Sequence, residues 1–437
     1  MGHLTAKDIY HQLGSKIDNL AARTPWNDAL FAILKELYSE REAELVVAMP
    51  YGLSTIERIA TLTGFTLEEL KPLLAGLCAK GLVIDLWQNN QYLYVPSPMV
   101  IGIFEFTMMR TVGHLNSKKW AELFHDYLQG DDSFYAANLK DGDQVALMRA
   151  LPHEEAINQA EYVEVLDYEK AAALVDESDR FAIGLCSCRH EKHHLGTREC
   201  DVPLETCTSL GVSADYLIRN NFGREISRAE MHETLVRSRE LGLVFNADNV
   251  KKRISFICHC CKCCCNALAG ISKFGYANGV MTSSFMATLD EETCIGCGKC
   301  AKACPTYGIT MTSAPSREKP KQQKPVIDTS VCLGCGVCGL KCENGAISLV
   351  KRKQRFILPE TTFEKAVLTA VEKGTLQNLL FDNPSTMSHK FMRGFVGAFM
   401  KLPPVKKTLM SDLFRSSFLA AMKNGAIMQG KSWLIDF

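Results

Sequence analysis

Nowhere in the 437 residues does an uninterrupted apolar run approach the roughly 18 residues of a membrane-spanning helix, and the opening MGHLTAKDIY lacks the apolar centre of an export signal. A soluble, cytoplasmic chain is the expectation. Net charge is missing too: 49 basic residues balance 49 acidic ones, so no overall positive field gathers nucleic acid and any partner must be recognised locally. There is no dinucleotide-binding fingerprint, no phosphate-binding GxxxxGK loop, and no nucleophile beside an evident base. The remaining composition, 47% hydrophobic and 22% charged, is ordinary for a folded chain of two to four domains.

Cysteine is what the sequence has in excess. Of 19 cysteines, all but Cys78 lie between Cys186 and Cys342. A disulfide framework belongs to small exported domains and does not fit a long chain without an export signal. Thiolates one to three residues apart can instead converge on a soft metal centre, in a reducing compartment.

Cys294, Cys297, Cys300 and Cys304, followed by Pro305, form the CxxCxxCxxxCP run of bacterial ferredoxins, and Cys332, Cys335, Cys338 and Cys342 repeat it 38 residues later. The same offset relates Asp290 to Asp328 and Ile309 to Ile347, so the segment is an internal duplication. In such a domain the fourth cysteine of each run ligates the other cluster. Cluster one then takes Cys294, Cys297, Cys300 and Cys342, and cluster two takes Cys332, Cys335, Cys338 and Cys304. Gly296, Gly298, Gly334 and Gly336 let the loops fold tightly with amides aimed at sulfur, and Ile295 and Leu333 are expected to shield the clusters. Zinc sites use two well-separated pairs and fit these runs poorly. Glu343 stands where the second run would carry proline.

Upstream lie ten more thiols: Cys186, Cys188, Cys200 and Cys207, then Cys258, Cys260, Cys261, Cys263, Cys264 and Cys265, with a helical pattern between. Neighbouring side chains of an extended segment point to opposite faces, so alternate thiols must serve different sites. Ten sulfurs suffice for one or two further iron–sulfur clusters. One division keeps the four early cysteines apart from the later run; mixed sets are the other; a zinc site with spare thiols is a third reading. His190, His193, His194 and His259 sit among them but are left out of the ligand set. Arg189 reads either as a hydrogen-bond donor to cluster sulfide or as half of a surface salt bridge.

The order CxCR, CxxxxxxC, a helical stretch, ICxCCxCC and a doubled ferredoxin run resembles a family of prokaryotic 4Fe-4S dicluster proteins over most of the chain. The resemblance implies cofactors but no substrate, since the module serves many oxidoreductases. Cys265 extends the run beyond the usual pattern.

Residues 29–112 read as a winged-helix-like domain: a long helix from Ala29, then STIERIATLTG, then FTLEELKPLLAGLCAKG, then two strands joined at Asn89 and Asn90. Ile56, Ile59, Ala60, Leu67, Leu70, Leu74 and Leu77 recur at helical spacing as a small core, and Thr66 with Glu69 predicts a capping box. Glu68 and Glu69 would repel phosphates where a recognition helix needs Arg or Lys, so a protein-docking role is preferred to DNA binding. From Glu161 the pattern is strand, helix and strand leading into Cys186; His153, Glu154 and Glu155 before it read as a surface feature. Residues 388–437 carry eight Lys or Arg against two Asp on an amphipathic, aromatic helical pattern divided by Pro403 and Pro404. That pattern suits a peripheral membrane contact, a cap on the cluster domain, or docking on a partner.

The expected fold is α+β and multidomain: an N-terminal helical segment (1–28), the winged-helix-like domain (29–112), a connecting αβ segment (113–180), a cysteine-rich αβ metal-cluster region (181–285), a two-cluster ferredoxin-like domain (286–352) and a basic helical C-terminal region (353–437). The expected function is electron transfer through two or more 4Fe-4S clusters to a redox partner protein, in an anaerobic setting. An oxidoreductase with a catalytic upstream cluster and a redox-sensing winged-helix regulator are the alternatives.

Overall fold

The computed structural model describes residues 2–435 other than 114, 140–143, 159–165, 278–279, 281, 314–322, 353–356, 382–386, 401 and 429–430, with backbone alone at 2–8 and 388–390. The fold is mixed α+β, as the sequence predicts. The chain forms two compact units, one of Met1–Asn138, Asp215–Arg224 and Pro359–Phe437, the other of Leu139–Ala214 and Glu225–Leu358.

The first unit is mainly helical. The long helix expected from Ala29 is two, Asp28–Leu37 and Glu40–Ala48, because Ser39 and Glu42 close a capping box that starts the second. Helices Ile56–Thr63 and Leu67–Lys80 follow, and Thr66 and Glu69 form the expected box. An antiparallel hairpin comes next, β1 (Val83–Gln88) with β2 (Gln91–Pro96), turned at Asn89 and Asn90, both at positive φ. Ile59, Leu70, Leu74 and Leu77 are buried, whereas Leu67, the first residue of its helix, is exposed rather than part of the core. Toward the C-terminus, helices Met387–Met400, Pro403–Met410 and Asp412–Met428 follow in turn, with Pro403 opening the middle one. Met387, Phe391, Phe395 and Phe399 are exposed at a spacing of four along the first of these. Among the described residues no helix is long and apolar enough to cross a membrane.

The second unit is built on a sheet of β3 (Met148–Leu151), β4 (Phe181–Leu185), β5 (Glu205–Leu210), β7 (Val244–Asp248) and β8 (Phe256–Cys260), in the order β3-β7-β8-β5-β4; the short β6 (Gly223–Glu225) lies across the sequence boundary between the units. Leu151, Phe181, Ile183, Ala247 and Ile257 join the helices Ala171–Asp176 and Arg228–Glu240 in one core. Ala150, Val244 and Cys260 belong to a second, because alternate residues of a strand face opposite ways. The strand expected around Glu161 lies outside the described residues over 159–165; the helix and the strand β4 running into Cys186 are as predicted.

The duplication is legible in three dimensions. Strands β9 (Phe285–Leu289) and β10 (Ile309–Ser313) belong to the first repeat, β11 (Gln323–Ile327) and β12 (Ile347–Lys351) to the second, yet β9 pairs with β12 and β10 with β11. Each hairpin thus takes one strand from each repeat. The Asp290 amide donates to the Ala346 carbonyl at 2.8 Å and the Asp328 amide to the Gly308 carbonyl at 2.8 Å, the same contact in both halves. Each aspartate also accepts from the backbone N–H two residues on, from Glu292 at 3.0 Å and from Ser330 at 2.9 Å, which shapes the turn into each cysteine loop.

Candidate metal centres

The crossed hairpins bring the two cysteine runs together in a particular way. One cavity is lined by Cys332, Cys335, Cys338 and Cys304; a second is lined by Cys294, Cys297, Cys300 and Cys342. Each cavity therefore holds three thiols of one run and the last thiol of the other. Backbone follows the same pattern. Gly296 (φ 70°) and Gly334 (φ 66°) occupy equivalent turns, and a Cβ on either would lie 2.1 Å from the Gln323 carbonyl oxygen or 2.0 Å from that of Phe285. Only glycine permits both the left-handed backbone and that approach.

Soft donors, four to a cavity, suit iron–sulfur clusters. Burial pushes the Cys335 thiol up to about 12, so the empty-handed thiol resists ionising and a bound cation is what would hold it as thiolate. The two cavities differ in cover. Leu333 is buried as expected over the second-run site, but Ile295, expected to shield the first, is 57% exposed beside the exposed Cys297. Glu343 is at the surface and pairs with Lys299 at 2.6 Å.

Residues 293–346 match the family model of a 4Fe-4S dicluster domain. This segment of the chain carries 4Fe-4S clusters. No curated protein and no solved structure matches the chain. The dicluster match covers none of the upstream thiols, so those are read from geometry.

All 19 cysteines are free, and the ten upstream ones divide into two groups, each drawing on both runs. The first is a quartet: Cys200 with Cys261, Cys263 and Cys264, whose sulfurs all lie within 4.8 Å of one another. The second is a ring of six. Cys207 and Cys258 are directly opposed on β5 and β8, and Cys258 and Cys260 share a face of β8. Cys260 contacts Cys265, the residue capping helix Asn266–Ser272, and Cys265 contacts Cys188 in the first turn of helix Ser187–Leu195. Cys186, at the N-cap of that helix, lies within electrostatic range of Cys188 and Cys207 and is counted with them. The pairing of β4 with β5 shifts register by one residue next to Cys207. Cys265, without a role in the sequence pattern, is thus a member of the ring.

Arg189 stands near thiols of both groups and is, among the described residues, the largest fully buried side chain. It is not a surface salt bridge: it donates to the Pro203 carbonyl at 2.9 Å, to the Thr206 hydroxyl and to the His259 carbonyl at 3.1 Å. Loss of water on burial would lower its pKa, but the sulfurs of Cys186, Cys261 and Cys200 around it outweigh that and raise it. A buried guanidinium needs anionic company, and thiolates are what the sequence provides. In each group one thiol is already disposed to ionise. Hydrogen bonds from Cys258 and Cys265, aided by the Asn246 amide at 3.2 Å, lower Cys260 to about 6; a hydrogen bond from Cys264, aided by Arg189, lowers Cys261 to about 4. The Asn266 amide donates to the Cys188 sulfur at 3.4 Å.

The histidines take no part in either group. His259 is buried and held neutral, its pKa lowered to about 3 by loss of water and then by Arg189, with Nε2 3.1 Å from the Thr208 hydroxyl. His190 and His194 contact each other through Nε2 at 2.9 Å. His153 is not the surface residue expected from its acidic neighbours: it is buried, its Nε2 is 2.9 Å from the Leu243 carbonyl, and its amide donates to the Cys335 carbonyl at 2.9 Å. That backbone contact, which helps fix the second-run loop, had no signal in the sequence.

Proposed function

We propose that this is an electron-transfer protein in which the dicluster domain and a third iron–sulfur centre in the six-thiol ring form a relay to a redox partner. In this reading Cys294, Cys297, Cys300 and Cys342 hold cluster one, Cys332, Cys335, Cys338 and Cys304 hold cluster two, and the ring of Cys186, Cys188, Cys207, Cys258, Cys260 and Cys265 supplies the ligands of the third. Bound clusters supply one-electron transfer, at potentials spanning roughly −700 to +450 mV. One observation carries the reading: Cys260 and Cys265 of the ring lie in the same buried apolar core as Leu333 and Cys335 of the second-run cavity. That core excludes water between the two sites and keeps their ligands fixed. At the other end, the exposed Ile295 and Cys297 offer a partner protein the edge of the first-run cavity.

The test is iron and acid-labile sulfide per chain on protein purified without oxygen, combined with rapid reduction by a low-potential donor. About twelve iron atoms are expected for three four-iron centres. Cys335→Ser should leave the centre of the first run reducible while slowing reduction of the ring's centre at least tenfold. About eight irons, with the ring metal-free, would sink the relay and leave a two-centre carrier. The exposed Phe391, Phe395 and Phe399 on a basic C-terminal segment support a peripheral contact with anionic lipid, and sedimentation with anionic but not neutral vesicles tests it.

A further inference from the structure

The quartet differs from every other thiol group in the chain by its tightness. Cys200 Sγ lies 3.7 Å from Cys261 Sγ and 3.9 Å from Cys264 Sγ; Cys263 Sγ lies 3.9 Å from Cys261 Sγ and 3.4 Å from Cys264 Sγ. Four sulfurs bound tetrahedrally at the zinc–thiolate length of about 2.3 Å stand about 3.8 Å apart along each edge. Thiolates on a 4Fe-4S cube bind four different irons and must stand farther apart than thiolates sharing one ion. The dicluster domain is the internal control. Among the described residues its eight thiols nowhere converge three together within 4.8 Å, and neither do those of the ring; the quartet alone does.

We infer that Cys200, Cys261, Cys263 and Cys264 hold a single tetrahedral divalent ion of the zinc type, not an iron–sulfur cluster. The supporting groups fit a closed structural site. Val202 and Leu243 pack against Cys261 and Cys264 on the apolar side. Arg198 fixes the loop that presents Cys200, donating to the Cys200 carbonyl at 2.7 Å and to the Val202 carbonyl at 2.5 Å. The Cys265 amide donates to the Cys261 carbonyl at 3.3 Å, closing the turn that carries three of the ligands. Four thiolates around a divalent ion leave two negative charges, and the buried Arg189 offsets part of them from beside Cys200 and Cys261. All four protein positions are filled by sulfur, which leaves no open position for a substrate. Such an ion would clamp segment 200–207 to segment 258–265, and those two segments also carry Cys207, Cys258, Cys260 and Cys265 of the ring. The ion's work is then to set the ring's geometry without taking electrons itself.

The experiment is zinc, iron and sulfide analysis of the full-length protein purified without oxygen, for the wild type and for Cys263→Ser and Cys200→Ser. One zinc per chain is expected, lost in both variants while iron and sulfide stay at wild-type levels. Loss of one iron with no loss of sulfide would uphold the single-ion site and identify iron as its occupant. Loss of the zinc together with about four irons would uphold the ion as the clamp on the ring. A wild type without zinc that loses about four irons with their sulfide in both variants would overturn the inference in favour of a cube. So would a wild type whose metals are unaffected by either change. Should the variants fail to fold, X-ray absorption of the wild type decides: four sulfurs near 2.3 Å and no neighbouring metal support the site, and a second metal in the shell refutes it. Reduction of the dicluster domain is a separate readout, so the relay can fail while this site stands, and the reverse.

Discussion

Gly334 shows how much a single atom can decide. Its φ of 66° and the 2.0 Å gap between a hypothetical Cβ and the Phe285 carbonyl oxygen leave no room for a side chain, and the atoms in the way are backbone. Gly334→Ala should open the second-run loop, costing about four of the irons and leaving the first-run site loaded; iron analysis with the corresponding Gly296→Ala variant as its mirror image checks this. Unchanged iron in both would mean the loops tolerate movement that this geometry forbids. In the first unit the residue to test is Glu105. Loss of water raises its carboxyl to about 7, partly offset by the Gly102 amide donating at 3.0 Å. A carboxyl whose folded pKa lies above its unfolded value binds more protons in the folded state, so stability is full below about pH 4.5 and falls as pH rises toward 7. At most about 3 kcal/mol should be lost across that window, and Glu105→Gln should remove that part of the slope in denaturant titrations at several pH values. An unchanged slope would place Glu105 in water.

At the scale of elements, the two cavities are not two independent halves. Because β9 pairs with β12 and β10 with β11, each hairpin is shared between repeats. Leu349 of β12 is buried, lines the second-run cavity, and its carbonyl accepts from the Asn158 amide at 3.0 Å. Leu349→Asp would place an unpaired carboxylate in that core. It should release iron from both cavities together, a fall of about eight and not four, and a loss confined to one site would show that the repeats fold separately. This also marks what the sequence reveals and what it withholds. The 38-residue offset is local, and the rule for sharing the fourth cysteine is geometric, so the composition of each cavity could be read from spacing. Sorting the upstream thiols depends on the register that sets Cys207 against Cys258 and on the turn that brings Cys261, Cys263 and Cys264 back to Cys200 some sixty residues away. Alternation along β8 announced that the run must be divided, but not which early cysteines join which part. His153 is followed in sequence by two acids yet enclosed in space by distant residues, and burial likewise removes the surface salt bridge from the two sequence readings of Arg189. The break at Ser39 was readable in principle, since Ser39 and Glu42 are a capping box inside an otherwise helical pattern.

For the whole molecule, the decisive fact is that every cysteine except Cys78 lies in the second unit, while the first holds the N-terminal helices, the β1–β2 hairpin and the C-terminal helices. Metal binding free energy is folding free energy wherever the ligands are unassembled in the unfolded chain. It should therefore stabilise one unit and be silent in the other. Calorimetry of the intact protein is expected to show two transitions, since a chain of two compact units need not melt as one. After removal of iron and zinc by acid and chelator, the transition of the cysteine-bearing unit should vanish or move far down. The other should shift by less than about 3 °C, equivalent to about 1 kcal/mol for a unit of this size. Limited proteolysis assigns the transitions, because cleavage of the metal-free protein should concentrate between residues 181 and 352. Two transitions moving down together would mean that the metal centres stabilise the entire chain, and that the thiol-rich unit and the helical unit fold as a single cooperative body.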